Sequence, residues 1–427
     1  MSIMAHDSEL DRKTRQLARE GGRAGSNGKP AAWPSHPLWR RMRELGTELW
    51  LDSGDIDAIS EVWTREFTGL TTNNTLLNRE IQKGTYDELM QKAVELLDDY
   101  PLLADSDRKL EVAYILNTHH ALRLVEKFDA HVSVEEHTSL SDNVEGAINY
   151  ARRFHAVCPD HFYVKIPFSA AGLLATRRVA EEGIAINHTL GFSARQNYLI
   201  AAIARPAFVN VFLGRLNSFV ADNALGSGLH VGQRAALASQ EAIRRLRAEG
   251  GIGTRQIAAS LREGRQVADL AGVDVITMPP RVAKEFVDSG IEPEDLRDMT
   301  GELPDAGVDE AKARSLNIHT LWDVADEEIA CAEALERERL ERFTPVRLRG
   351  FFERHKCGSM LVKWTDGQVQ VSADEGKIPR LDHWEQALAD GEVGLDSLMS
   401  LAGWNSFHHD QQALDQRVEQ IQASVRE

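Results

Sequence analysis

The sequence predicts an α/β protein built on a (β/α)8 (TIM) barrel, and three observations carry that prediction. Short apolar runs of β type alternate with helical segments, the pattern of parallel βαβ units. Eight such runs occur, each followed by a helical segment, the number that closes a barrel. Polar or charged residues recur near the C-terminal ends of these runs, where a barrel gathers its chemistry. An open doubly wound sheet would accept the same alternation, but no GxGxxG follows the first run, which lowers a dinucleotide-binding reading.

Residues 1–35 contain GGRAGSNGKPAAWP and read as a flexible N-terminal arm. Strands are then predicted at TELWLD (47–52), FTGLTTN (67–73), HVSVEE (131–136) and FYVKIP (162–167). Four more follow at AINHTL (185–190), FVNVFLG (208–214), TRQIAAS (254–260) and DVITMPP (274–280). Amphipathic stretches such as YDELMQKAVELLDD (86–99) and SQEAIRRLRAE (239–249) supply the helices between them. The barrel is therefore expected over 36–290. Beyond it, 291–427 reads as an acidic, mainly helical C-terminal extension. Within the extension, LVKW and QVQVSA flank Thr365-Asp366-Gly367, which predicts a β-hairpin. The ending DQQALDQRVEQIQASV reads as an amphipathic helix, and no internal repeat is present.

A chain of 427 residues can bury one large core or two ordinary ones. Its formal net charge is −17, with no Lys/Arg-rich run, so nucleic acid is not an expected partner. No apolar run approaches membrane-spanning length, and the polar start lacks the apolar segment of a signal peptide. Cys158, Cys331 and Cys357 are far apart and lack metal-ligand spacing. A cytoplasmic protein with no metal and no organic cofactor is expected.

The polar residues near the strand ends are Asp52, Asn73, Glu135, Lys165, Asn187 with Thr189, Asn210 and Ser260. A lone buried amide or carboxyl is usually a structural hydrogen-bonding group, but recurrence at equivalent depth argues for one shared site. Period-two alternation puts Asn187 and Thr189 on one face and His188 on the other, toward the helices. Lys165 stands between Val164 and Ile166, where a solvated lysine is out of place. Burying an ammonium costs several kcal/mol unless it is paired or loses its proton, and the neutral amine is the nucleophile a Schiff base requires. From these residues alone two readings stay open: a nucleophile, or a lysine that snorkels from a strand end or pairs with Glu135.

The strings LDSGD (51–55), GLTTN (69–73), VSVEE (132–136), VKIP (164–167), EEGIAINHTLGFS (181–193), FVNVFLGR (208–215) and ASLR (259–262) occur in that order. Together they resemble the strand segments of the transaldolase family of Schiff-base-forming class I aldolases, over roughly residues 45–285. The resemblance implies that Lys165 attacks the ketose C2 carbonyl and that Asp52 takes the C4 hydroxyl proton during carbon–carbon cleavage. It implies that Glu135 and Thr189 position a water for proton transfer, and that Asn73 and Asn187 hydrogen-bond the bound three-carbon fragment. It further implies that Arg215, Ser260 and Arg262 grip the substrate phosphate. Two guanidinium groups and a hydroxyl suit that task by charge-assisted, bidentate contacts.

The chain departs from the family pattern in four places. Asn73-Asn74-Thr75 stands where the family usually has Asn-Pro-Ser, a change expected to alter a turn rather than the chemistry. Asn210 replaces a small residue of the dihydroxyacetone pocket, Phe168-Ser169-Ala170 follows VKIP, and Gly191 replaces a bulkier residue. The expected activity is transfer of a dihydroxyacetone unit from a ketose phosphate, such as sedoheptulose 7-phosphate or fructose 6-phosphate, to an aldose phosphate. The alternatives are a related class I aldolase or transaldolase-like enzyme acting on a different ketose, or a non-catalytic barrel used as a binding module. Phosphorylated sugars are the expected partners, without nucleic acid or membrane. A homo-oligomer is a further expectation, with the tail around Leu401-Ala402-Gly403-Trp404 as a candidate interface.

Overall fold

The computed structural model describes residues 8–20 and 32–426. Eight parallel strands close on themselves in sequence order: β1 (Glu48–Asp52), β2 (Phe67–Thr71), β3 (His131–Glu135), β4 (Phe162–Pro167), β5 (Ile186–Thr189), β6 (Phe208–Phe212), β7 (Arg255–Ala259) and β8 (Val275–Met278). Pairing of β1 with β8, Glu48 opposite Val275, completes the barrel. Each strand falls inside its predicted run, and a helix follows each one. Short polar side chains start several of these helices. Asn73, Asn143, Ser169 and Ser193 each accept a backbone N–H three residues on, at 2.8–3.0 Å.

The period of two along each strand sorts the barrel interior into layers. Trp50, Tyr163 and Phe208 fill the lower layer, with Trp50 stacked on Tyr163 at 5.6 Å and edge-on to Phe208 at 4.9 Å between ring centroids. Gly69 leaves room for this indole, because a Cβ there would lie 2.6 Å from Trp50 Nε1. Two residues further along the same strands stand Asp52, Lys165 and Asn210. The polar layer therefore rests on a packed aromatic floor at the C-terminal mouth of the barrel.

Two predicted features are corrected. Residues 365–367 do not form a hairpin turn; Asp366–Glu375 is a helix and LVKW is not a strand. Thr365 and Gln368 form a reciprocal capping box, with Gln368 Oε1 accepting from Thr365 N at 3.0 Å and Thr365 Oγ1 accepting from Gln368 N at 3.3 Å. That cap overrides the apolar alternation of Gln368–Val371. In the predicted flexible arm, Glu9–Arg19 is a helix, and most of the Gly/Ser-rich stretch lies outside the described residues. The helix is held by a buried cation: Arg153 Nε donates to Asp11 Oδ1 at 2.6 Å, and its Nη1 and Nη2 donate to Glu111 at 2.6 Å.

The extension is helical, as expected, and packs on the barrel. Cys331, Leu335, Phe351, Phe352 and Met360 share an apolar cluster with Leu173, Leu199 and Ile200 of the barrel helices. The final helix, Leu395–Arg426, starts at an ion pair buried against the barrel. Arg195 Nε and Nη2 donate to Asp396 Oδ2 and Oδ1 at 2.8 and 2.9 Å, and Ser193 Oγ donates to Oδ2 at 2.7 Å. Leu401 and Ala402 are buried, and a Cβ on Gly403 would meet Leu190 at 2.7 Å. This segment is thus committed to the chain's own barrel rather than left free as an interface. Among the described residues, no helix is long and apolar enough to cross a membrane.

Candidate active site

A cavity of about 220 Å³ opens at the C-terminal mouth of the barrel. Asp52, Asn73, Lys165, Asn187, Asn210, Arg215, Ser260 and Arg262 all line it. Of the expected site residues, Glu135 stands behind Lys165, and Thr189 lies one register step above Asn187, opposite Pro167. The Thr189 hydroxyl is buried and has no hydrogen-bond partner among the described residues.

Lys165 is 4% exposed. Strand register sets Glu135 beside it on β3 and Asn187 beside it on β5. Its Nζ donates to the Thr72 carbonyl at 3.2 Å and lies 4.0 Å from Glu135 Oε1. The amine is therefore dry and anchored, with a carboxyl within proton-transfer reach through one water. Burial pushes the Glu135 carboxyl above its ordinary range, while the Lys165 charge and a hydrogen bond from the Asn74 backbone pull it back. A raised carboxyl exchanges protons nearer neutrality than an exposed one does.

Asn74 also supplies a backbone donor to this pair. Asn74 N–H donates to Glu135 Oε2 at 3.0 Å. A proline at this position would have no N–H to give.

Around this pair the polar groups are interlocked. Thr71 Oγ1 donates to Asp52 Oδ1 at 2.7 Å and contacts Thr277 Oγ1 at 2.8 Å. Asn187 Nδ2 donates to Ser133 Oγ at 3.1 Å, and Asn187 Oδ1 accepts from Asn210 Nδ2 at 3.0 Å. Asn73 spends its side-chain oxygen on capping the following helix. Gly191 makes room for this arrangement, since a Cβ there would stand 2.6 Å from the Asn210 carbonyl. His188 faces outward as expected: it pairs with Thr176 at 2.9 Å, and burial lowers its pKa to about 3, so it is neutral.

Arg215 is buried beside Ser260 and Arg262, and its Nη1 lacks a partner among the described residues. Burial and then the neighbouring Arg262 charge lower its pKa to about 10, with Asp410 opposing. Burial likewise lowers Arg262, with Asp52 opposing. Crowded, under-neutralised guanidinium groups are chemically suited to contact an anion. Ser260, just past β7, adopts the left-handed φ of +65°.

Sequence reasoning missed several lining residues. Thr71 and Thr277 are polar residues within predicted strands, so the criterion that selected Asn187 would have found them. Ser406 and Phe407 come from the C-terminal helix and had no local signal. The Phe407 ring centroid lies 5.7 Å from both Lys165 Nζ and the Arg215 guanidinium, so the ring spans the two ends of the site. Among the described residues, the one grouping of three metal-ligand side chains is Glu375, Asp382 and His383 in the extension. There Glu375 is already engaged, accepting from Trp384 Nε1 at 2.9 Å.

Residues 49–345 match the family model described as transaldolase/fructose-6-phosphate aldolase. A transaldolase of Chlamydia pneumoniae is 28% identical over 255 residues, covering 58% of this chain and 75% of that protein. A probable transaldolase of Heliobacterium modesticaldum is 32% identical over 252 residues, covering 57% of this chain and 94% of that protein. One from Thermus thermophilus is 30% identical over 244 residues, covering 56% and 90%. With more than half its length matched, the chain belongs to the transaldolase/fructose-6-phosphate aldolase family.

Proposed function

We propose that this protein is a transaldolase that moves a dihydroxyacetone unit from a ketose phosphate to an aldose phosphate through a Schiff base on Lys165. The observation that carries the reading is the buried Lys165 amine, 4.0 Å from Glu135 and opening onto the cavity that Asp52 and the guanidinium groups share.

The amine attacks the C2 carbonyl, and loss of water from the carbinolamine leaves an iminium ion. Glu135 exchanges the protons of that step through a water, helped by the Thr189 hydroxyl. Asp52 then takes the C4 hydroxyl proton as the C3–C4 bond breaks. The bond electrons flow into the iminium, giving a neutral enamine and free aldose phosphate. The enamine adds to the carbonyl of the incoming aldose, Asp52 returns the proton, and hydrolysis of the new iminium frees the amine. Asn187, Asn210 and Asn73 hold the hydroxyls of the three-carbon fragment, and Arg215, Ser260 and Arg262 hold the phosphate. The proposal carries with it a cytoplasmic location and a metal-free, cofactor-free reaction.

The test is an acceptor-dependence assay. With fructose 6-phosphate as donor, glyceraldehyde 3-phosphate is expected to exceed one equivalent per enzyme only when erythrose 4-phosphate is added. Continued multiple-turnover release without an acceptor would make the protein an aldolase instead. Lys165→Ala is expected to abolish turnover with an unchanged circular dichroism spectrum.

A further inference from the structure

The cavity carries more positive charge than the Arg215, Ser260 and Arg262 cluster accounts for. Arg79, on the helix Asn74–Gln82, and Lys377, just past the helix Asp366–Glu375, line it as well. Among the described residues, none of the four cations Arg79, Arg215, Arg262 and Lys377 forms a salt bridge. The acids that act on the group are Asp52 and Asp410. Asp410 already accepts a hydrogen bond from Thr75.

Lys377 is an exposed side chain on a fastened segment. Gly376, at φ +80°, ends the preceding helix in a conformation that suits glycine. Asn223 then clamps the next residues: its Nδ2 donates to the Pro379 carbonyl at 3.0 Å and its Oδ1 accepts from Leu381 N at 2.8 Å. Asn223 caps the helix Leu213–Asp222, which carries Arg215. One asparagine therefore ties the Lys377 segment to the helix of the buried arginine. Partial desolvation beside the cavity and then the Arg215 charge push the Lys377 ammonium below its ordinary range, as close-set cations do to one another.

We propose that Lys377, with Arg79, is a further ligand of the substrate's terminal phosphate, so that the C-terminal extension completes an anion site begun by the barrel. This rests on the reading that the substrate is a phosphorylated sugar. The division of labour suits the chemistry. The guanidinium groups of Arg215 and Arg262 offer forked donors, while Lys377 adds a compact charge on a long stem at the entrance. A phosphate dianion relieves the mutual repulsion of the four cations. Lys377 lies beyond the segment matched by the family, which ends at residue 345.

The experiment is calorimetric titration of the full chain with inorganic phosphate at low ionic strength. Lys377→Gln and Arg79→Gln are each expected to weaken phosphate about tenfold, and Lys377→Arg to bind within about twofold of the parent. In turnover, Lys377→Gln is expected to raise KM for fructose 6-phosphate by a larger factor than it lowers kcat. Phosphate affinity unchanged in both glutamine variants, or a loss in kcat alone, would overturn the proposal. The titration needs no turnover. Failure of every ketose to react would sink the functional reading and leave the phosphate result to decide this one.

Discussion

Replacing Asn74 by proline isolates one hydrogen bond to the buried glutamate. Asn74 is the first residue of its helix, where a missing N–H costs the helix nothing and proline is favoured. Asn73 before it is already extended, with φ −158° and ψ 171°, as a residue preceding proline must be. The substitution therefore fits the backbone and removes the N–H that Glu135 Oε2 accepts at 3.0 Å. A hydrogen bond to a buried carboxylate contributes about 1.5 kcal/mol, which corresponds to about one pH unit. Because the donor favours the ionised form, its loss raises the proton affinity of a group that burial has already raised. The acidic limb of the kcat/KM profile for fructose 6-phosphate is expected to move upward by about one pH unit in Asn74→Pro. Asn74→Ala keeps the N–H and loses only the amide contact to the Glu136 carbonyl, so its limb should stay in place. Coincident limbs in the two variants would refute the reasoning.

Two stability predictions test how the site is supported. Asp396→Ala leaves Arg195 buried without its bidentate partner and is expected to destabilise the protein by about 3–5 kcal/mol in urea unfolding; a loss under about 1 kcal/mol would mean the pair does not anchor the last helix. Gly69→Ala drives a methyl against Trp50 in the barrel floor and is expected to cost about 1–3 kcal/mol, read as a lowered melting temperature.

The barrel was legible in the sequence because its strands are short, apolar and buried on both faces, so each run stands out against the amphipathic helices. The polar groups at their ends were legible for the same reason: Lys165 between Val164 and Ile166 contradicts its surroundings. What the sequence hid depends on tertiary placement. The hairpin prediction failed because alternation over a few residues is a weaker signal than the cap formed by Thr365 and Gln368. The helix Glu9–Arg19 was overlooked because the glycine-rich stretch after it dominated the reading, while its buried partner Arg153 lies 142 residues away. Phe407 and Lys377 were invisible because nothing local says that the extension folds back over the mouth. The Asn74 contact was hidden differently, since its donor is a backbone group that exists because the residue is not proline.

The most direct measurement of the central claim is borohydride reduction of the protein incubated with fructose 6-phosphate, followed by peptide mass spectrometry. The account predicts one stable three-carbon adduct, on the peptide that contains Lys165, and none in Lys165→Ala. An adduct on another lysine, or undiminished turnover of the phosphorylated ketose with no adduct anywhere, would contradict it.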